Sequence, residues 1–272
     1  MAKPILIGAV LYDPKVSVIW DIIREFFDAN GCPCDVVFFT NYELQVQALL
    51  KGQVDIAWNS PLAWVDAQRQ SKGTCRAIAM RDTDQDRVSH IIARKGGIAK
   101  LSDLKGKTLA VGAKDSPQAT LIPVGLLQRA GLKPGKHFTV QRFDVLVGKH
   151  GDHIGGELDA FKCLQSGKAA ACAMLDMNWD RWSSDGTISP EEFAIIATTD
   201  RFDHCVFTVR SDFSRALEKK WLKVLYSMSY DNPKHREMMD MEGLKEWRPG
   251  RTTGFGPLSE AVDKQKFFKG AK

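Results

Sequence analysis

Apolar positions along this chain switch between two spacings. Short dense apolar runs of strand length alternate with longer stretches in which apolar residues recur at helical intervals. The first run predicts a strand over 5–10. A helix over 16–29 follows, with Val16, Ile19, Trp20, Ile23, Phe26 and Phe27 on one face and Asn30-Gly31 as its stop. Further strands are expected over 36–39, 54–58 and 76–80, with helices over 42–51 and from Pro61 to about Gln70. This βαβαβ run calls for a mainly parallel sheet covered on both faces. A polar break over 81–87 separates it from a second set. There the pattern predicts strands over 89–93, 108–111, 139–143, 169–175, 193–197 and 205–209, with helices over 118–130 and up to Ser166. Three helices close the chain, over 213–228, 233–241 and 258–268.

One junction occurs twice. The apolar run ending at Trp58 gives way to Asn59-Ser60-Pro61, and the run ending at Val111 leads to Asp115-Ser116-Pro117-Gln118. Serine suits the N-cap, and proline suits the first helical position, where its missing N–H costs nothing. A helix starting at a strand's carboxyl end points free N–H groups past the sheet edge, where α/β proteins bind polar or anionic ligands. Two such junctions suggest two lobes, each offering a helix start to a shared ligand.

Composition narrows the function. At 272 residues the chain has room for about two domains. A net charge of +5 without a block of Lys and Arg argues against a nucleic-acid partner. No apolar run is long enough to span a membrane, so no membrane insertion is expected. The first strand begins almost at once, without a signal-type stretch. The expected location is therefore cytoplasmic, or periplasmic if a signal precedes this sequence in the native protein. Six cysteines without a CxxC pair read as free thiols in a reducing compartment. No GxGxxG after a strand, no GxxxxGK[ST], no HExxH and no nucleophile elbow occurs, so no cofactor is expected.

Several segments together resemble the type II periplasmic-binding-protein fold, and within it the phosphate/phosphonate-binding components of ABC importers. They are Tyr12-Asp-Pro14, Gly52-Gln-Val-Asp-Ile-Ala-Trp-Asn-Ser-Pro61, Leu101-Ser-Asp-Leu-Lys-Gly-Lys-Thr-Leu-Ala-Val-Gly112, Ser116-Pro-Gln-Ala-Thr-Leu-Ile-Pro123, the Gly-His-Asp-like element before a helix, and Gly167-Lys-Ala-Ala-Ala171. The resemblance implies an α/β clamshell, each lobe a mixed, mainly parallel sheet flanked by helices. Lobe one would comprise 1–86 and 204–272, lobe two 87–203, with the ligand cleft between them. It also implies a small polar, anionic ligand and an ABC permease as partner. The second helix start departs from the family's Ser-Thr-Ser-Gly-like run: Ser116-Pro-Gln-Ala-Thr120 loses two hydroxyls and gains an amide.

The candidate ligand contacts are Tyr12, Asn59 and Ser60, then Ser116, Gln118, Ala119 and Thr120, and finally Asp176, Asn178 and His204. The loop over 148–156 adds His150, Asp152 and His153. Ser60, Ser116, Asp152 and Asn178 could instead serve only as helix caps. His150, Asp152, His153 and Glu157, with Asp203 and His204, form a possible metal set, but their spacing matches no standard motif and no metal is expected. Trp58, Trp64 and Trp179 could line an aromatic wall or simply pack. The segment 247–254, with two arginines and tight turn residues, could close over the cleft, but a solvated turn is the preferred reading. A binding protein is the preferred reading. The alternative is a cytoplasmic enzyme or ligand sensor using His150, His153 or His204 as acid–base groups.

Overall fold

A computed structural model describes residues 3–151 and 155–268. The chain divides into two units, one from Met1–Gln85 and Asp203–Gly254, the other from Asp86–Phe202 and Phe255–Lys272.

The first unit opens with β1 (Ile5–Val10), α1 (Lys15–Ala29), β2 (Cys34–Phe39), α2 (Tyr42–Leu50), β3 (Ile56–Asn59), α3 (Pro61–Gln70) and β4 (Arg76–Arg81). The second unit then contributes β5 (Ser89–Arg94), β6 (Thr108–Val111), α4 (Ile122–Arg129), β7 (Thr139–Arg142), α5 (Gly155–Gln165), β8 (Ala171–Leu175), α6 (Asp176–Ser184) and β9 (Phe193–Thr198). The chain returns to the first unit for β10 (Val206–Val209), α7 (Arg215–Leu225), α8 (Pro233–Glu242) and β11 (Trp247–Pro249), and ends in the second with α9 (Gly256–Gln265).

The first sheet runs β11-β4-β10-β3-β1-β2 and the second β7-β6-β8-β5-β9. Both are mixed, as expected, but parallel pairs do not dominate. β1 pairs in parallel with β2 and β3, and β6 with β7 and β8. The returning strand β10 inserts antiparallel between β3 and β4, and β5 lies antiparallel to both β8 and β9. Each sheet is thus a parallel half joined to an antiparallel half.

Three elements differ from the sequence-based expectation. The C-terminal helix belongs with the second unit, not the first. Gly125 of α4 lets α9 approach so closely that an added Cβ would lie 2.9 Å from the Ala261 Cβ. Gln265 Nε2 also donates to the Leu121 carbonyl at 2.8 Å. The segment at 247–249 is an edge strand on β4 rather than a solvated turn. Pro249 is tolerated there because the outermost strand needs fewer N–H donors. Finally, α6 begins at Asp176, ahead of the Asn178 that the sequence offers as a cap, so Asn178 falls inside the helix.

The first unit's core is aromatic. Trp58 lies 4.5 Å from Phe207 and 5.9 Å from Trp247 between ring centroids, and Phe207 meets Trp221 edge-on at 4.8 Å. Trp58 is therefore packing, as are Trp64, which is buried, and Trp179, which lies against the second unit's core. The second unit packs mainly aliphatic residues on one sheet face, among them Ile91, Leu109, Val111, Leu127 and Ala173, and a mixture of small and aromatic residues on the other, among them Ala110, Cys172, Met174, Phe161 and Trp182.

Candidate functional site

In the first unit the junction forms as its sequence dictates. β3 ends at Asn59, Ser60 adopts extended backbone, and its Oγ accepts the Ala63 N–H at 3.2 Å. Pro61 occupies the first helical position. These two residues and the ordinary helical bond from Trp64 N–H to the Ser60 carbonyl leave Leu62 N–H without a partner among the described residues. Asn59 is fully buried. Its Oδ1 accepts from Gln45 Nε2 at 2.8 Å, and the same Gln45 nitrogen donates to the Trp58 carbonyl at 2.8 Å. Asn59 Nδ2 has no hydrogen-bond partner among the described residues. Gln45, on α2, is a member of this site that the sequence conceals. It sits on a helical stretch whose buried face reads as apolar, so nothing in the spacing marks it.

The second junction is built differently. Ser116 again caps, accepting the Ala119 N–H at 3.2 Å, and Pro117 again leads. The turn Pro117–Leu121 is π-helical, so Thr120 and Leu121 N–H groups both donate to the Ser116 carbonyl, at 3.2 and 2.9 Å. Only Gln118 N–H is left without a partner among the described residues. The sequence pattern predicts several free N–H groups at each junction; the cap, the proline and the first helical bonds reduce this to one each. Gln118 is buried. Its Nε2 donates to the Gly151 carbonyl at 2.8 Å, which fixes its Oε1 as an acceptor, and that oxygen has no partner among the described residues. Ser89 Oγ donates to the Gln118 carbonyl at 2.6 Å.

Glycines let the neighbouring loop close on this turn. Gly151 has φ +76°, and a Cβ there would collide with Ser116 Oγ and lie 2.8 Å from Gln118 Nε2. A Cβ on Gly112 would lie 2.8 Å from the Ala119 Cβ. The space left among Ser116, Ala119, Gly151, Gly156 and Glu157 is about 10 Å³, close to the size of one water. His150 is 3% exposed and holds φ +54°, a left-handed conformation that costs a non-glycine residue on the order of 1 kcal/mol or more. Asp152 and His153 lie outside the described residues.

The remaining candidates separate. Tyr12 is half-buried against the first unit's core. Asp176 opens α6, accepting the Met177 N–H through Oδ1 at 2.9 Å and lying 3.7 Å from Arg87 through Oδ2. Asn178 is not a cap. It lies inside the first turn of α6, and its Nδ2 donates to Glu157 Oε2 at 2.8 Å, an oxygen that also accepts the Leu175 N–H at 2.9 Å. Glu157 is thereby committed to holding α5 against the end of β8. Thr120 lines a different cavity from Ser116 and Ala119.

His204 belongs to a buried polar network in the first unit. Its Nδ1 lies 3.1 Å from Cys205 Sγ and 3.5 Å from Asp84 Oδ1. Asp84, Cys205 and His204 have the ligand types of a metal site, but Arg81 spans both oxygens of Asp84 at 2.7 and 2.8 Å. A guanidinium so placed already neutralises the carboxylate and disfavours a cation. Burial alone would raise the Asp84 carboxyl, yet Arg81's charge, its hydrogen bonds and His204 outweigh that and hold it well below the usual carboxylate range. Asp203 is likewise taken, by a bidentate pair with Arg251 at 2.7 and 2.6 Å. The six cysteines are all free and buried. Burial pushes the Cys34 thiol up to about 12, which leaves it protonated and unreactive.

Comparison with known proteins gives this geometry a family. A family model described as "ABC transporter, phosphonate, periplasmic substrate-binding protein" matches residues 20–254. PhnD1 from Prochlorococcus marinus, solved with methylphosphonate, superposes with a TM-score of 0.70 at 18% identity, covering 97% of this chain and 98% of that one. XAC2383 from Xanthomonas citri, solved with ATP, gives 0.73 at 18% identity over 98% and 99% of the two chains. A binding-protein component of an ABC phosphonate transporter from Pseudomonas aeruginosa gives 0.66 at 14% identity, over 97% and 88%. A 25-residue stretch is 60% identical to an uncharacterized protein of Haemophilus influenzae, spanning 9% of this chain and 35% of that protein. Among the described residues no helix is long and apolar enough to cross a membrane. The structural likenesses establish the fold, and the family match over residues 20–254 establishes membership: the chain belongs to the phosphonate-binding family of periplasmic substrate-binding proteins of ABC transporters.

Proposed function

We propose that this protein is the solute-capturing component of an ABC importer, that it takes up a small phosphonate-like oxyanion in the periplasm, and that an ABC permease is its membrane partner. One observation carries the reading. Each unit ends a strand in a serine-capped, proline-led helix start with a single N–H to spare, Leu62 in one and Gln118 in the other, beside a buried amide with an unsatisfied atom. A buried polar atom without a partner costs about 1–3 kcal/mol, so a ligand that satisfies it recovers that cost. Asn59 Nδ2 and the two backbone N–H groups are donors suited to the oxygens of an anion, and each helix start adds roughly half a positive charge. Gln118 Oε1 is an acceptor, suited to the protonated oxygen of a phosphonate monoanion. We assign Asn59, Ser60, Ser116, Gln118, Ala119 and His150 to ligand recognition. The free thiols, read from the sequence as a reducing-compartment feature, are all buried, which shields them from oxidation in the periplasm. The enzyme alternative draws no support from His204, which is held among Cys205, Asp84 and Arg81.

Calorimetric titration with methylphosphonate and with inorganic phosphate tests this. Saturable one-to-one binding is expected for at least one of them, weakened by about 1–3 kcal/mol in Asn59→Ala and in Gln118→Ala. No binding of either anion, or equal binding by both variants and the parent, would contradict the proposal.

A further inference from the structure

A larger cavity lies wholly within the second unit, among α4, β7 and α9. Its volume is about 480 Å³, within the range of roughly 300–1,000 Å³ typical of small-molecule sites. Leu121, Val124 and Phe267 give it an apolar wall, while Lys114, Arg142 and Lys264 bring three cations to it. Arg142 has Asp144 at 3.5 Å and Lys264 has Glu260 at 2.6 Å, whereas Lys114 makes no ion pair among the described residues. One positive charge is therefore uncompensated.

Two polar groups of the lining lack partners among the described residues. Thr120 is 95% buried, being 5% exposed, and its Oγ1 has no hydrogen-bond partner; nor has Oε1 of Gln128. A threonine hydroxyl in a helical turn ordinarily bonds back to a carbonyl of the preceding turn, and this one does not. The hydroxyl can donate or accept, and the amide oxygen can only accept. The lining thus asks for an anion on an apolar body that also carries a proton donor.

We propose that this cavity is a second ligand site, distinct from the two helix starts, for a small amphipathic organic monoanion. The anionic group meets Lys114, the apolar body lies on Val124 and Phe267, and a hydroxyl or N–H of the ligand donates to Gln128 Oε1. The proposal does not depend on the identity of the transported solute.

The probe is anilinonaphthalenesulfonate, which combines a sulfonate, fused apolar rings and an N–H donor. Fluorescence titration of the full chain is expected to show one saturable site. Lys114→Glu, at an exposed position, is expected to weaken it about tenfold. Thr120→Val is expected to weaken it a few-fold, because it removes a buried hydroxyl without changing shape. Val124→Trp, which fills the cavity, is expected to abolish it; circular dichroism reports whether that variant folds, and Lys114→Glu decides if it does not. Saturating methylphosphonate is expected to leave the probe in place. Absence of a saturable site, unchanged affinity in Lys114→Glu, or displacement by methylphosphonate would each overturn the proposal.

Discussion

The two helix starts share a cap and a proline, yet they are held in opposite ways. At Ser60 the helix is regular, and the neighbouring Asn59 is locked from within its own unit by Gln45. At Ser116 the turn is π-helical, and Gln118 is held by the carbonyl of Gly151 in the adjoining loop. The first arrangement depends on a side-chain amide bonded to a strand end. The second depends on a loop that approaches only because Gly151 and Gly112 carry no side chain. One sequence motif therefore leaves a spare side-chain donor, Asn59 Nδ2, in the first unit and a spare side-chain acceptor, Gln118 Oε1, in the second, among the described residues.

The largest expected effect breaks the first arrangement. Gln45→Leu leaves the Trp58 carbonyl and Asn59 Oδ1 buried without their donor. At about 1–3 kcal/mol for each of the two orphaned groups, a loss of about 2–6 kcal/mol is expected in urea unfolding. A loss under about 0.5 kcal/mol would show that the amide lock is unimportant.

Gly151→Ala is the counterpart. Its Cβ would intrude on Ser116 Oγ and Gln118 Nε2, and the backbone there is left-handed. We expect a destabilisation of about 1–3 kcal/mol and loss of most ligand-induced rise in melting temperature. If binding survives unchanged, the loop does not position Gln118.

The shared part of this comparison is visible in the sequence, and the different part is hidden. Serine followed by proline after an apolar run has one reading, a capped helix start, because the φ restriction and the missing N–H leave little choice. Whether the next turn is α or π depends on what packs against it. Here Ala119 lies beneath Gly112, and nothing within Pro117-Gln-Ala-Thr-Leu121 announces that contact. Gln45 and Gln118 look alike in sequence, yet one serves as a lock and the other faces a loop carbonyl. Asn178 reads as a cap because asparagine favours caps, but the partner that decides its role, Glu157, lies on another helix. Thr120 groups with its neighbours by proximity in sequence, while the turn directs it to a separate cavity.

Removing the caps themselves gives a smaller effect. Ser60→Ala and Ser116→Ala should each cost about 1 kcal/mol, read by thermal unfolding. The cost should be lower at Ser116, where the Ser116 carbonyl still holds two N–H groups of the turn. Equal costs would argue that the π-helical turn contributes nothing to holding that end.

The smallest differences are in pH. Asp84 is depressed in the folded first unit, so it adds stability above the ordinary carboxyl value of about 3.9 and loses it as pH falls toward the folded value. Burial lowers His90 in the second unit, against the opposing charges of Asp176 and Asp180. Its contribution is complete above the ordinary histidine value of about 6.5 and declines as pH falls below it. Acid titration should therefore perturb the second unit first, with Trp58 and Trp247 fluorescence in the first unit changing only near or below pH ~4. Simultaneous loss in both units would contradict this order.

The claim that both helix starts recognise the ligand is tested most directly by amide NMR during titration with methylphosphonate. Saturable shifts of the backbone N–H resonances of both Leu62 and Gln118, with the Asn59 side-chain amide moving in step, are the predicted result. Saturable binding that leaves Leu62 and Gln118 unmoved would contradict the account.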